Sequence, residues 1–169
     1  MRSASRISGR RVATAILSLS VIACSLDTTS PSNGSNPATE TYAASLGVTL
    51  AQMTKVSSAL YTQDLVAGTG AVLANGDSLS VTYSGWLVNG KLFESNVGAA
   101  SAFATRIGVG HVIPGWDLGL VGMQVGGKRR LVIGSDLAYG ASGAGNCAVQ
   151  VCIPANSTLV FDVQFIAKY

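Results

Sequence analysis

At 169 residues, with 20 glycines and only 11% charged side chains, the chain is long enough for one domain with appendages, and its composition suits a turn-rich, extracytoplasmic β protein. Four of its eleven Lys and Arg residues (Arg2, Arg6, Arg10 and Arg11) fall in the first eleven positions, leaving seven basic against eight acidic groups in the remainder. That balance holds no basic stripe and excludes a nucleic-acid partner, which needs clustered Lys and Arg facing phosphates.

Taken in chain order, Arg2 to Arg11 form a positive run and residues 12–23 an apolar stretch too short to span a bilayer as a mature helix. The pair reads as an export signal. The stretch ends Val21-Ile22-Ala23-Cys24, which resembles the lipobox of bacterial lipoproteins. The resemblance implies removal of residues 1–23 and lipidation of Cys24. It also implies a membrane partner reached through a lipid anchor, on the outer membrane where one exists. A plain secretory signal accounts for the same charge and apolar run. The Arg10-Arg11 pair raises twin-arginine export, which the following Val12-Ala13 does not support.

Residues 24–45 are rich in Ser, Thr, Asn and Pro and bury too little apolar surface to order themselves, so a disordered tether is expected there. Over 46–57, Leu46, Val48 and Leu50 alternate, which predicts a short strand or an irregular lead-in. The folded domain is expected over 58–169. In it the hydrophobic period becomes two, the strand period. Leu79, Val81, Tyr83 and Leu87 share one face against Ser78, Ser80, Thr82 and Ser84, and Leu159, Phe161, Val163 and Phe165 share a face in the last strand. Such one-sided strands belong to an antiparallel sheet with one wet face. Asn89-Gly90 reads as a hairpin turn. Pro114 opens a short helix with Asp117 in its first turn, Trp116 and Leu120 on one side and Gly122 as the stop. One helix on a curved antiparallel sheet is an α+β fold.

Five separated segments carry the chemistry: VTYSG at 81–85, NGKLFES at 89–95, GHVIPGW at 110–116, LAYG at 137–140 and TLVFDV at 158–163. In this order they resemble the FKBP family of peptidyl-prolyl cis-trans isomerases, over roughly residues 58–169. The resemblance implies a half-barrel sheet wrapped on the helix, with a hollow for the substrate proline. Its catalytic group would be Tyr83, Phe93, Glu94, Ile113 and Tyr139, with Phe103, Val112, Trp116, Ile153 and Phe161 binding substrate and Trp116 as the floor. The backbone N–H of Ile113 and the hydroxyl of Tyr139 would hold peptide carbonyls. The implied partners are proline-containing polypeptides, unfolded or exported, and macrolide-type inhibitors. The resemblance implies neither cofactor nor metal. A non-catalytic chaperone or peptide-binding module would use the same fold and hollow.

The sequence departs from the family pattern in places. Phe93-Glu94-Ser95 stands where Phe-Asp-Ser is usual, so the carboxylate that the resemblance pairs with Tyr83 sits on a side chain one methylene longer, which is expected to shift or weaken that hydrogen bond. No Arg occurs between Glu94 and Phe103, and Thr105 replaces an aromatic residue found in some members. The loop after Tyr139 is longer than in minimal members and holds Cys147 and Cys152, read as a disulfide closing its tip, with metal ligation as the minor alternative. Two further features read as surface: His111, the only histidine, as an exposed loop residue, and Lys128-Arg129-Arg130 as a solvated strand end.

Overall fold

The computed structural model describes residues 34–145 and 152–169; the expected export signal, Cys24 and Cys147 lie outside the described residues. The chain forms β1 (Thr54–Ser57), β2 (Leu60–Val66), β3 (Ser78–Leu87), β4 (Leu92–Ser95), β5 (Phe103–Arg106), α1 (Pro114–Gly119), β6 (Lys128–Ile133) and β7 (Leu159–Lys168). The strands make one antiparallel sheet in the order β1-β2-β6-β7-β3-β4, with β5 pairing the same strand β3. This is the α+β architecture expected from the pattern: an open sheet and one short helix.

The period-two reading holds along both long strands. Leu79, Val81, Tyr83 and Leu87 of β3 are buried, as are Leu159, Phe161, Val163 and Phe165 of β7. With Leu60, Leu131 and Ile133 they form the main core, which α1 closes through Trp116 and Leu120. Pro114 stands at the first helical position, where its missing N–H costs nothing. The helix lies hard against β6: a Cβ on Gly115 would come within 2.4 Å of Ile133 Cγ2, so no larger residue fits there without moving the helix. Asp117 does more than favour the helix dipole. Its carboxylate accepts the N–H of Gly108 at 2.8 Å and of Gly110 at 2.9 Å, and so pins the loop that precedes the helix.

Three sequence expectations are corrected. The disordered tether expected over 24–45 does not extend through the described part of that segment. From Gly34 the chain runs as a strap with short helical turns at Pro37–Thr39 and Ala44–Leu46. Ser35 and Ser135 exchange two hydrogen bonds, each backbone N–H donating to the other's hydroxyl at 2.8 and 3.0 Å. The Thr158 hydroxyl bonds the Ser35 hydroxyl at 2.7 Å and the Glu40 carboxylate at 3.1 Å. Tyr42, Ala43, Val48 and Leu50 pack on a second cluster of Leu46, Met53, Tyr61, Val132 and Val160. Composition argued against order because the segment buries little by itself; the sheet's outer face supplies what it lacks. That face is therefore not wholly wet, which is the second correction. Continuing from the strap, residues 46–57 hold a turn at Leu50–Gln52 and then β1, which pairs with β2 as part of the sheet.

The third correction concerns the basic run. Arg129 and Arg130 keep only 14% of their side-chain surface exposed. Arg129 grips Asp64 through two nitrogens and donates to the carbonyls of Gly119 and Val121 at the end of α1. Arg130 grips Asp162 in the same way and donates to the Leu46 carbonyl of the strap. Neighbouring residues on a strand point to opposite faces, so one arginine ties down the helix and the next ties down the strap.

Candidate functional site

Between α1, the inner face of β3 and β7, and the loops after β5 and β6 lies a hollow of about 250 Å³. Its lining is Tyr83, Glu94, Phe103, His111, Val112, Ile113, Trp116, Tyr139 and Phe161. Four aromatic rings define its depth. Trp116, 4% exposed, meets Tyr83 edge-on at 5.0 Å between ring centroids and Phe161 edge-on at 5.4 Å. Phe103 meets Tyr83 edge-on at 6.0 Å and closes one side, though it remains 40% exposed. Edge-to-face packing fixes each ring by its neighbours, so the hollow is preformed rather than collapsed.

Phe93 and Ile153 are not among the lining residues. Phe93 stacks edge-on upon Phe161 at 5.5 Å and so backs the wall. Gly85 makes this possible, since a Cβ there would fall 2.6 Å from Phe93 and 2.8 Å from Phe161. Ile153 is buried in the main core, its backbone paired in both directions with Ala144. His111 is exposed, as expected for a loop residue, yet it lines the mouth. Nothing in its loop context signalled that; the Asp117 carboxylate, which fixes Gly108 and Gly110 just before it, is what places it there.

The polar groups around the hollow are few and mostly unspent. No hydrogen bond among the described residues uses the N–H of Ile113, although its carbonyl accepts from Trp116 and Asp117. Tyr139 is exposed at the rim and its hydroxyl has no hydrogen-bond partner among the described residues. Burial raises the Tyr83 hydroxyl pKa above its ordinary value, and the nearby Glu94 carboxylate raises it further. The longer Glu94 side chain therefore still acts on Tyr83. Burial likewise raises Tyr139, with the Glu94 charge second. Both tyrosines are neutral donors over the whole range around neutrality. Cys152, at the far end of the Tyr139 loop, is disulfide-bonded.

The arrangement is a preformed aromatic well with two unpartnered donors at its rim, chemically able to hold an apolar ring flanked by carbonyls. A family model described as FKBP-type peptidyl-prolyl cis-trans isomerase matches residues 70–166. The chain belongs to this family. A curated relative, an FK506-binding protein of Neisseria meningitidis serogroup B, is 42% identical over 110 residues, which cover 65% of this chain and 96% of the relative. An FK506-binding protein 4 of Dictyostelium discoideum is 47% identical over 110 residues, 65% of this chain, but the chain spans only 28% of that longer protein. Among solved structures, FkpA from Escherichia coli superposes with a TM-score of 0.60 at 37% identity, covering 69% of this chain and 51% of that one.

Proposed function

We propose that this chain catalyses cis-trans isomerisation of X-Pro bonds in exported polypeptides, acting from a lipid anchor in a bacterial cell envelope. The observation that carries the reading is the aromatic hollow floored by Trp116, with the Ile113 N–H and the Tyr139 hydroxyl left without partners at its rim.

Rotation about an X-Pro amide meets a barrier of ~18–20 kcal/mol set by resonance, which also loads charge on the carbonyl oxygen. The proline ring sits on Trp116, between Tyr83, Phe161 and Val112. A water-poor aromatic site disfavours the charge-separated planar amide relative to the twisted one. The Ile113 N–H and Tyr139 hydroxyl hold flanking carbonyls so that rotation is confined to one bond. Catalysis requires only that this twisted state be bound better than either planar form. Glu94 steadies the Tyr83 hydroxyl at the rim. Macrolide-type ligands would occupy the same hollow. Cys147 is the proposed disulfide partner of Cys152, fixing the loop that carries Tyr139.

The reading is tested with the purified full chain and a short X-Pro peptide. It should accelerate isomerisation without added metal or nucleotide, and an apolar residue before proline should be favoured. A well-folded sample no faster than buffer would leave only a peptide-binding role. The anchor is tested separately: Cys24→Ser should move the protein from membranes to the soluble extracytoplasmic fraction, and an intact mass showing no lipid on Cys24 would refute it.

A further inference from the structure

We propose that the Glu94 carboxylate makes the hollow prefer a cationic over an anionic residue beside the substrate proline. The inference rests on the isomerase reading above and names the charge class of its substrates. Glu94 leaves the end of β4 and lines the hollow together with Tyr83 and Tyr139. The ion pairs among the described residues are Lys128–Asp162, Arg129–Asp64, Arg130–Asp162 and Lys168–Asp77. Glu94 is in none of them. Of the other acids, Asp117 is spent on the Gly108 and Gly110 amides and Glu40 accepts from Thr158, while Asp136, in no ion pair among the described residues, does not line the hollow. The nearby Tyr83 hydroxyl is neutral, and a phenol leaves the negative charge in place.

That charge is felt across the well, since it contributes to raising both Tyr83 and Tyr139. Apart from those tyrosines, the only other ionisable residue lining the well among the described residues is His111. With proline seated on Trp116, the adjoining substrate residues leave through a mouth bordered by Glu94, Phe103, His111 and Tyr139. An ammonium or guanidinium there finds an unmatched carboxylate, whereas a substrate carboxylate finds repulsion. Glu94 is solvent-exposed, which lets a ligand reach it and keeps the effect modest.

The experiment compares kcat/KM for peptides with Lys, Gln or Glu immediately before proline, and for a second series with the same residues immediately after it. The assay runs at about pH 8, where an ordinary histidine is neutral. In at least one series, Lys should exceed Gln by roughly two- to fivefold and Glu should fall below Gln by a similar factor, as exposed charge pairs allow. The Lys-to-Glu ratio should shrink in salt of about 1 M, where the screening length is ~3 Å. In Glu94→Gln it should collapse to near one whatever the basal rate, because each variant is its own reference; Glu94→Asp should keep it. A wild-type ratio near one in both series, or a ratio that survives Glu94→Gln, overturns the proposal. If no peptide is turned over at all, the isomerase reading fails by itself. The same ratios are then sought in dissociation constants read by tryptophan fluorescence, where equal affinities for Lys and Glu peptides would overturn the preference too.

Discussion

The two faces of the sheet are both covered, but by different means. The inner face is closed by residues that are hydrophobic in sequence: α1 brings Trp116 and Leu120 onto Leu60, Leu131, Ile133 and Phe161, and what it leaves open is the aromatic hollow. The outer face is closed by a strap whose sequence is largely polar, held by Ser35, Glu40 and the Arg130 grip on the Leu46 carbonyl, with Tyr42 and Leu46 as its apolar inserts. The inner covering leaves a site; the outer one leaves support. Both should matter for stability, and only one for turnover.

The sharpest way to break that division is a pair of truncations. Phe161→Ala removes a wall of the hollow and a core ring and should cost roughly 3–5 kcal/mol of stability along with most of the activity. Leu46→Ala on the strap should cost about 2–5 kcal/mol while the folded fraction keeps its kcat/KM. Urea unfolding and a peptide assay on each variant decide it; a large fall in specific activity for Leu46→Ala would join the two faces into one functional unit.

A finer probe stays on the inner face. Tyr139→Phe removes a hydroxyl that has no partner within the described residues, so the melting temperature should hardly move. Turnover should fall by the worth of one hydrogen bond, roughly 0.5–1.5 kcal/mol or up to about tenfold in kcat/KM. An unchanged rate would take Tyr139 out of peptide binding.

The smallest effect compares the faces through alkaline pH. Burial raises the hydroxyl pKa of Tyr42 on the strap and of Tyr83 and Tyr139 at the hollow. The native state thus holds these protons more tightly than the unfolded chain. The resulting stability is complete below the unfolded tyrosine value of ~10 and is lost as pH rises past it towards the folded values. Melting temperatures should be level near neutrality and decline above about pH 10. Tyr42→Phe should soften that decline without touching activity at neutral pH, as pH-dependent melts would show.

How much of this was legible differs between the faces for the same physical reason. Alternation in 78–88 and 158–165, Pro114 at the helix start and the five spaced motifs disclosed the inner face, because burial on one side of a strand writes itself into every second residue. Tyr83, Glu94, Phe103, Val112, Ile113, Trp116, Tyr139 and Phe161 meet as expected at one hollow. Phe93 and Ile153 do not line it, since motif position says which wall a residue belongs to but not which layer of it. The strap and the arginine grips were not legible. Their partners lie far away in sequence (Ser35 bonds residues 100 and 123 positions on), so no local pattern announces them. Arg129 and Arg130 looked like a solvated run because adjacent charges on a strand are engaged one on each face.

The position of β7 bears on when this protein can fold. The ten-residue strand β7, last of the strands in sequence, is an interior strand of the sheet, flanked by β6 and β3, and its approach at Thr158 also fastens the first described residues of the strap. Until β7 is made, β6 and β3 have no common partner and the strap lacks its contacts with Thr158 and Val160. Loss of β7 would therefore remove the middle of the sheet rather than its edge.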